Sequence, residues 1–194
     1  MKYYSGLFLL LFLFACSSNG DREAAPVAED TIHAQEIVYS TNGDTLKGYV
    51  AYDKSLEGKR PGVLVVHEWW GHNPYARKRA EMLAELGYTA FALDMYGKGI
   101  LGKSPEENSA LMAPFMEDRL LLQQRIALAV SVLREQAEVD AANLAAIGFC
   151  FGGLCVLDLA RSGSDVKGVA SFHGIFSPPG NTDGNSISAK VLCL

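Results

Sequence analysis

Apolar residues fall along this chain in two kinds of block. Apolar-rich runs at 62–66, 88–93, 144–149 and 166–172 have strand length, and 62–66 is continuously apolar, as expected for a strand buried on both faces. Between them lie stretches with helical spacing. Asn73 can cap a helix, Pro74 suits its first turn and Gly87 follows its end. A long helix is predicted over 116–137, because Leu122, Ile126, Ala129, Val130 and Leu133 share one face. Another follows residue 150 and runs to Arg161. Two shorter β-prone runs, 37–39 and 45–52, flank Asn42-Gly43-Asp44, a hairpin signal. Residues 94–115 read as irregular, with room for one short helix, and 174–188 read as a loop. Residues 190–194 begin one more strand. This alternation predicts a mostly parallel sheet with helices on both faces and an antiparallel hairpin at one edge. No internal repeat is present.

The first residues do not fit that scheme. Lys2 precedes an unbroken apolar run at 7–14, too short to span a bilayer and suited to a secretory signal. The run ends in Leu13-Phe14-Ala15-Cys16-Ser17, which resembles the bacterial lipobox. By that resemblance 1–15 is a signal peptide and Cys16 is the lipid-bearing mature N-terminus. A plain signal peptide or an uncleaved anchor is the other reading. Residues 16–34, polar and rich in small side chains, then read as a flexible tether, with His33 in it, leaving 35–194 as the folded domain. The expected location is the bacterial cell envelope, on the periplasmic side or at the outer membrane, with the lipid as the sole membrane contact.

Composition narrows the function. The 194 residues are 49% hydrophobic and 20% charged with a net charge of −5, an ordinary globular make-up. The one basic run, Arg77-Lys78-Arg79, is short and reads as a solvated helix face, so a nucleic-acid partner is not expected. Past Cys16 the cysteines are Cys150, Cys155 and Cys193, with no Cys-x-x-Cys pair to hold zinc or cycle redox state. Cys155 and Cys193 read as small buried hydrophobes.

Cys150 is different. It sits in Gly148-Phe149-Cys150-Phe151-Gly152-Gly153, directly after a strand run and directly before a helical one. A strand that breaks into a helix through Gly-x-nucleophile-x-Gly is the nucleophile elbow of the α/β-hydrolases. Such a turn presents the sulfur at a helix N-terminus, where N–H groups and the helix dipole favour thiolate. The bland reading is an inert cysteine in a glycine-rich turn. The loop after the 62–66 strand reads His67-Glu68-Trp69-Trp70-Gly71. In the elbow template this loop gives the second oxyanion-hole N–H, assigned to Trp69, and the residue after the nucleophile, Phe151, gives the first. Glu68 either holds or deprotonates the Cys150 thiol, or is a surface charge or a structural hydrogen-bond partner of nearby backbone.

Together with Leu93-Asp94-Met95-Tyr96-Gly97, these motifs resemble, in order and context, the dienelactone hydrolase family, from about residue 36 to residue 194. The resemblance implies an α/β-hydrolase fold, ester or lactone hydrolysis through an acyl-enzyme, and no cofactor or metal. It implies Cys150 as nucleophile, Glu68 as its resting partner, and Tyr96 and His173 lining the pocket. The family's named activity, opening of dienelactone, relies on arginines that grip a substrate carboxylate; Arg119 is the nearest candidate, or else a solvated helix residue.

The family's acid and histidine are expected beyond Leu194, so the fold should lack its last strand and helix. Inactivity of the chain itself, an exposed sheet edge and poor solubility are then expected. After Cys150 the available groups are His173, Asp158, Asp165 and Asp183; His67 and His72 read as structural or exposed. A non-catalytic, lipid-anchored binding protein on the same fold is the main alternative. A thiol redox protein using Cys150 and Cys155 is a weaker one.

Overall fold

The computed structural model describes residues 31–41, 43–180 and 184–194. The leader, Cys16, most of the expected tether, Asn42 of the hairpin and Asp183 lie outside them. Among the described residues a seven-stranded sheet runs in the order β1-β2-β4-β3-β5-β6-β7. Its strands are β1 (Ile32–Thr41), β2 (Asp44–Asp53), β3 (Arg60–Val66), β4 (Thr89–Ala92), β5 (Val139–Phe149), β6 (Gly168–Phe172) and β7 (Lys190–Cys193). The β1–β2 hairpin is antiparallel and joins β4 antiparallel; β4, β3, β5, β6 and β7 are mutually parallel. The predicted architecture is therefore present. Strand β1 begins at Ile32, inside the expected tether. His33 pairs with Tyr52 in the hairpin instead of lying in a linker, because a cross-strand partner orders backbone that looks polar and loop-like in sequence.

Helix α1 (Pro74–Glu85) lies on one face. Asn73 caps it by accepting the Ala76 N–H at 3.1 Å, and Ala76, Ala80 and Ala84 form its buried stripe. Three small side chains let the helix press closely onto Ala51, Val65, Ala90 and Ala92. The other face carries the main core. There α2 (Pro105–Glu117), α3 (Arg119–Arg134) and α4 (Phe151–Arg161) cover Leu64, Val66, Phe91, Leu93 and Ala146. Helix α2 has thirteen residues where the sequence reads mostly irregular. Ser104 caps it at the Glu107 N–H, and Glu107 returns a bond to the Lys103 N–H, a reciprocal start that outweighs its weak apolar pattern. Helix α3 runs from Arg119 to Arg134, shorter than predicted at both ends. Asp118 ends α2 and caps α3 through the Leu120 and Leu121 N–H groups.

Strand β7 is exposed at all four residues. Cys193 is accordingly exposed, not buried as its apolar neighbours suggest: an edge strand shows its side chains to solvent wherever no helix covers it. No helix of the described residues is long and apolar enough to cross a membrane.

Candidate active site

Strand β5 passes into α4 through one residue, Cys150, at φ 54° and ψ −113°. A non-glycine residue held there stores on the order of 1–3 kcal/mol of strain. Three hydrogen bonds impose it: the Cys150 N–H donates to the Phe172 carbonyl at 2.9 Å, and its own carbonyl accepts from Gly153 and Leu154 at 3.0 and 3.3 Å. The glycines follow from close approach. A Cβ at Gly148 would lie 2.0 Å from the Gly152 carbonyl oxygen, and one at Gly152 would lie 2.4 Å from that of Val66. The elbow is thus pressed against the end of β3, where the second motif begins. No side chain caps α4, so the Phe151 N–H is left without an intrahelical partner beside the half-buried Cys150.

The loop after β3 is fixed by His67. The imidazole is buried, its Nε2 accepts the Met95 N–H at 3.2 Å and its Nδ1 faces the Glu68 carbonyl. Because Met95 can only donate, Nε2 is bare and Nδ1 carries the proton. Burial lowers the His67 pKa to about 4, so this histidine is neutral and structural. His72 is also buried, bonded through Nδ1 to the Leu93 carbonyl at 3.0 Å, and pushed down by the same cause.

Asp94 anchors the facing loop by accepting backbone N–H groups from Lys47, Tyr96, Gly97 and Gly99 at 2.8–3.1 Å. That places Tyr96 across from Trp69, whose carbonyl accepts the Tyr96 hydroxyl at 3.0 Å. Tyr96 also stacks on Phe151 at 6.0 Å between ring centres. Burial raises its pKa, and the nearby Cys155 and Cys150 thiols add to the rise. The Trp69 N–H has no backbone acceptor among the described residues. Tyr96 thus links Trp69 to Phe151 at the ends of β3, β4 and β5, the sheet edge at which Cys150 also lies.

The remaining candidates divide. Glu68 is half-buried, and its carboxylate forms no hydrogen bond or ion pair among the described residues. His173 closes β6 at φ 42°, exposed, with its ring 6.4 Å from that of Phe149. Arg119 is neither a free clamp nor a solvated residue: its Nε donates to the fully buried Asp158 at 2.6 Å. Arg161 holds the other Asp158 oxygen at 3.0 Å, so Asp158 is a structural counter-ion. Asp165 pairs with Arg134 at 2.6 Å. Cys155 is fully buried, which drives its thiol pKa well up and leaves it unreactive. Among the described residues no cluster of His, Cys, Asp and Glu is arranged to hold a metal.

Sequence reading missed Arg79. Arg77 and Lys78 pair with surface glutamates, but the Arg79 guanidinium turns inward between the Tyr75 and Phe149 rings, 4.8 Å from each centre. It borders a small cavity of about 10 Å³ that Glu68, Asn73 and Phe149 also line. Nothing in a three-residue basic run distinguishes its inward member.

The sequence matches the model of the dienelactone hydrolase family over residues 46–194. It is 30% identical over 146 residues to "Protein usf" of Aquifex pyrophilus, covering 73% of this chain and 62% of that protein. Two solved structures superpose well. One is a dienelactone hydrolase-like promiscuous phosphotriesterase from metagenomic libraries, with TM-score 0.81 and 35% identity. The other is m3DLH, with TM-score 0.80 and 38% identity. Each match covers 84% of this chain and 68% of the other. The chain spans roughly two thirds of the length of these relatives. By sequence and by fold, this chain belongs to the dienelactone hydrolase family of α/β-hydrolases.

Proposed function

We propose that the protein is a cysteine-dependent hydrolase of esters or lactones, with Cys150 as nucleophile. Glu68 takes the thiol proton. The thiolate adds to the substrate carbonyl carbon, and the oxyanion is received by the Phe151 and Trp69 N–H groups. Collapse breaks the C–O bond, the proton held by Glu68 passes to the departing oxygen, and the alcohol leaves (or the lactone ring opens) with a thioester remaining on Cys150. Water then hydrolyses the thioester and restores the thiol. No cofactor enters this scheme. The reading rests chiefly on one observation: the strained Cys150 backbone at the start of an uncapped helix. For cellular context we propose export and lipid attachment at Cys16, from the lipobox-like run in the sequence.

None of the histidines among the described residues is set up as the base for the last step. His33 lies in β1, His67 and His72 are buried in structural bonds, and the His173 ring has no hydrogen-bonded acid among the described residues. Acylation is therefore expected to outrun deacylation in this chain. The test is an activated short-chain ester, followed by peptide mass spectrometry and release of the alcohol. We expect one acyl group on the Cys150 peptide, a burst near one equivalent, little turnover after it, and none of these in Cys150→Ala. Acylation at the exposed Cys193 with none at Cys150 would favour a non-catalytic binding protein on this fold.

A further inference from the structure

We infer that Arg79 is a positioning residue for Glu68 and reaches it through one water in the cavity the two share. The inference rests on the proposed partnership of Glu68 with Cys150.

Arg79 differs from its neighbours in what surrounds its charge. Arg77 meets Glu36 at 3.2 Å, and Lys78 meets Glu81 and Glu85 at 3.1 and 3.7 Å. Among the described residues Arg79 has no carboxylate within ion-pair distance. One terminal nitrogen donates to the Tyr75 hydroxyl, and the plane is held between two aromatic rings. Its Nε is buried and unpartnered. A buried cationic N–H without an acceptor is costly, and water commonly fills such a place.

The cavity beside it offers about 10 Å³, the least volume that holds one water, and polar groups to bind it. Glu68, whose carboxylate lacks a partner among the described residues, and Asn73 also line the space. A water there accepts from Arg79 Nε and donates to Glu68. A charged donor and a charged acceptor make both links strong. The consequence is steric as well as electrostatic. Arg79 is stacked on Phe149, the residue before the nucleophile, so the bridge ties the Glu68 loop to the end of β5.

The experiment measures the alkylation rate of Cys150 by iodoacetamide, resolved by peptide mass spectrometry so that Cys193 does not interfere. R79M and R79K are each made alone and on E68Q, with circular dichroism to confirm folding. R79K retains a positive charge near the rings but loses the planar guanidinium and its Nε–H, and so keeps the test open if R79M does not fold. We expect E68Q to slow alkylation, both Arg79 variants to slow it roughly fivefold or more, and neither to slow it further on E68Q. An Arg79 effect of equal size with and without E68Q would reduce Arg79 to a buttress of Phe149 and overturn the inference, as would R79K behaving like the unaltered chain. If E68Q itself leaves the rate unchanged, the role of Glu68 falls and the inference falls with it. A high-resolution crystal structure supplies the direct check: a water bonded to both groups is expected, and an empty cavity refutes the bridge.

Discussion

A Cβ at Gly152 would meet two backbone carbonyl oxygens, Val66 at 2.4 Å and His67 at 2.7 Å. Neither can rotate aside, so Gly152→Ala must force the elbow away from β3. We expect a loss of about 1–3 kcal/mol, the usual cost of overpacking, in urea denaturation, with slower Cys150 alkylation in the molecules that remain folded. Unchanged stability would mean that the close approach is not required. His67 gives a second measurable consequence. Its folded pKa of about 4 lies below its ordinary value of 6.5, so between those values the unfolded chain binds the extra proton. Stability is then unaffected by this group above pH 6.5 and falls as pH drops toward 4, by up to about 3 kcal/mol. Denaturation at neutral and mildly acidic pH should show that loss, and His67→Gln should flatten it. The elbow was legible in the sequence because Gly-x-Cys-x-Gly is local. The tautomer of His67 was not, because it is set by Met95, twenty-eight residues away in the chain.

Helices α3 and α4 are joined at Asp158. Its carboxylate is fully buried and held by Arg119 on one oxygen and Arg161 on the other. The same arginines extend to the Ser177 and Phe176 carbonyls, so one acid organises two helices and the loop after β6. Removing it leaves two nearly buried guanidinium groups without a counter-ion. Asp158→Asn is expected to lower stability by about 3 kcal/mol, as for a broken buried ion pair, while acylation of Cys150 per folded molecule stays the same. A loss of acylation without a loss of stability would return Asp158 to the catalytic acids. Sequence alone could not separate these roles, since both place an acid after the nucleophile. Element boundaries were harder still around α2. It buries only Asn108 and Phe115 among the described residues and carries Pro114 in its last turn, so it shows no apolar stripe and contains an apparent breaker. By contrast α1 was readable, because Asn73, Pro74 and Gly87 mark its ends in the sequence itself.

The order of the sheet leaves its two sides unequally covered. Helix α1 shields β2, β4 and β3, but beyond them Ile147, Ala170 and Leu192 lie side by side in register across β5, β6 and β7. Leu192 is 51% exposed and Val191 44%. The outer edge of β7 is unpaired among the described residues. Lys190 N–H bonds to Lys167 and Leu194 N–H to Ser171, so by the two-residue period the Val191 N–H points away from β6, ready to pair with another strand. In the 194-residue chain taken by itself, an unpaired edge next to an apolar strip favours association of copies. The chain is therefore expected to self-associate with rising concentration in sedimentation velocity. Val191→Pro removes the outward N–H without breaking a bond to β6, and it should shift the distribution toward monomer while leaving the acylation of Cys150 intact. A chain that stays monomeric across the micromolar to millimolar range would show that the edge is harmless. Association unchanged by Val191→Pro would move the contact from the strand edge to the apolar strip, where Leu192→Lys is the corresponding substitution.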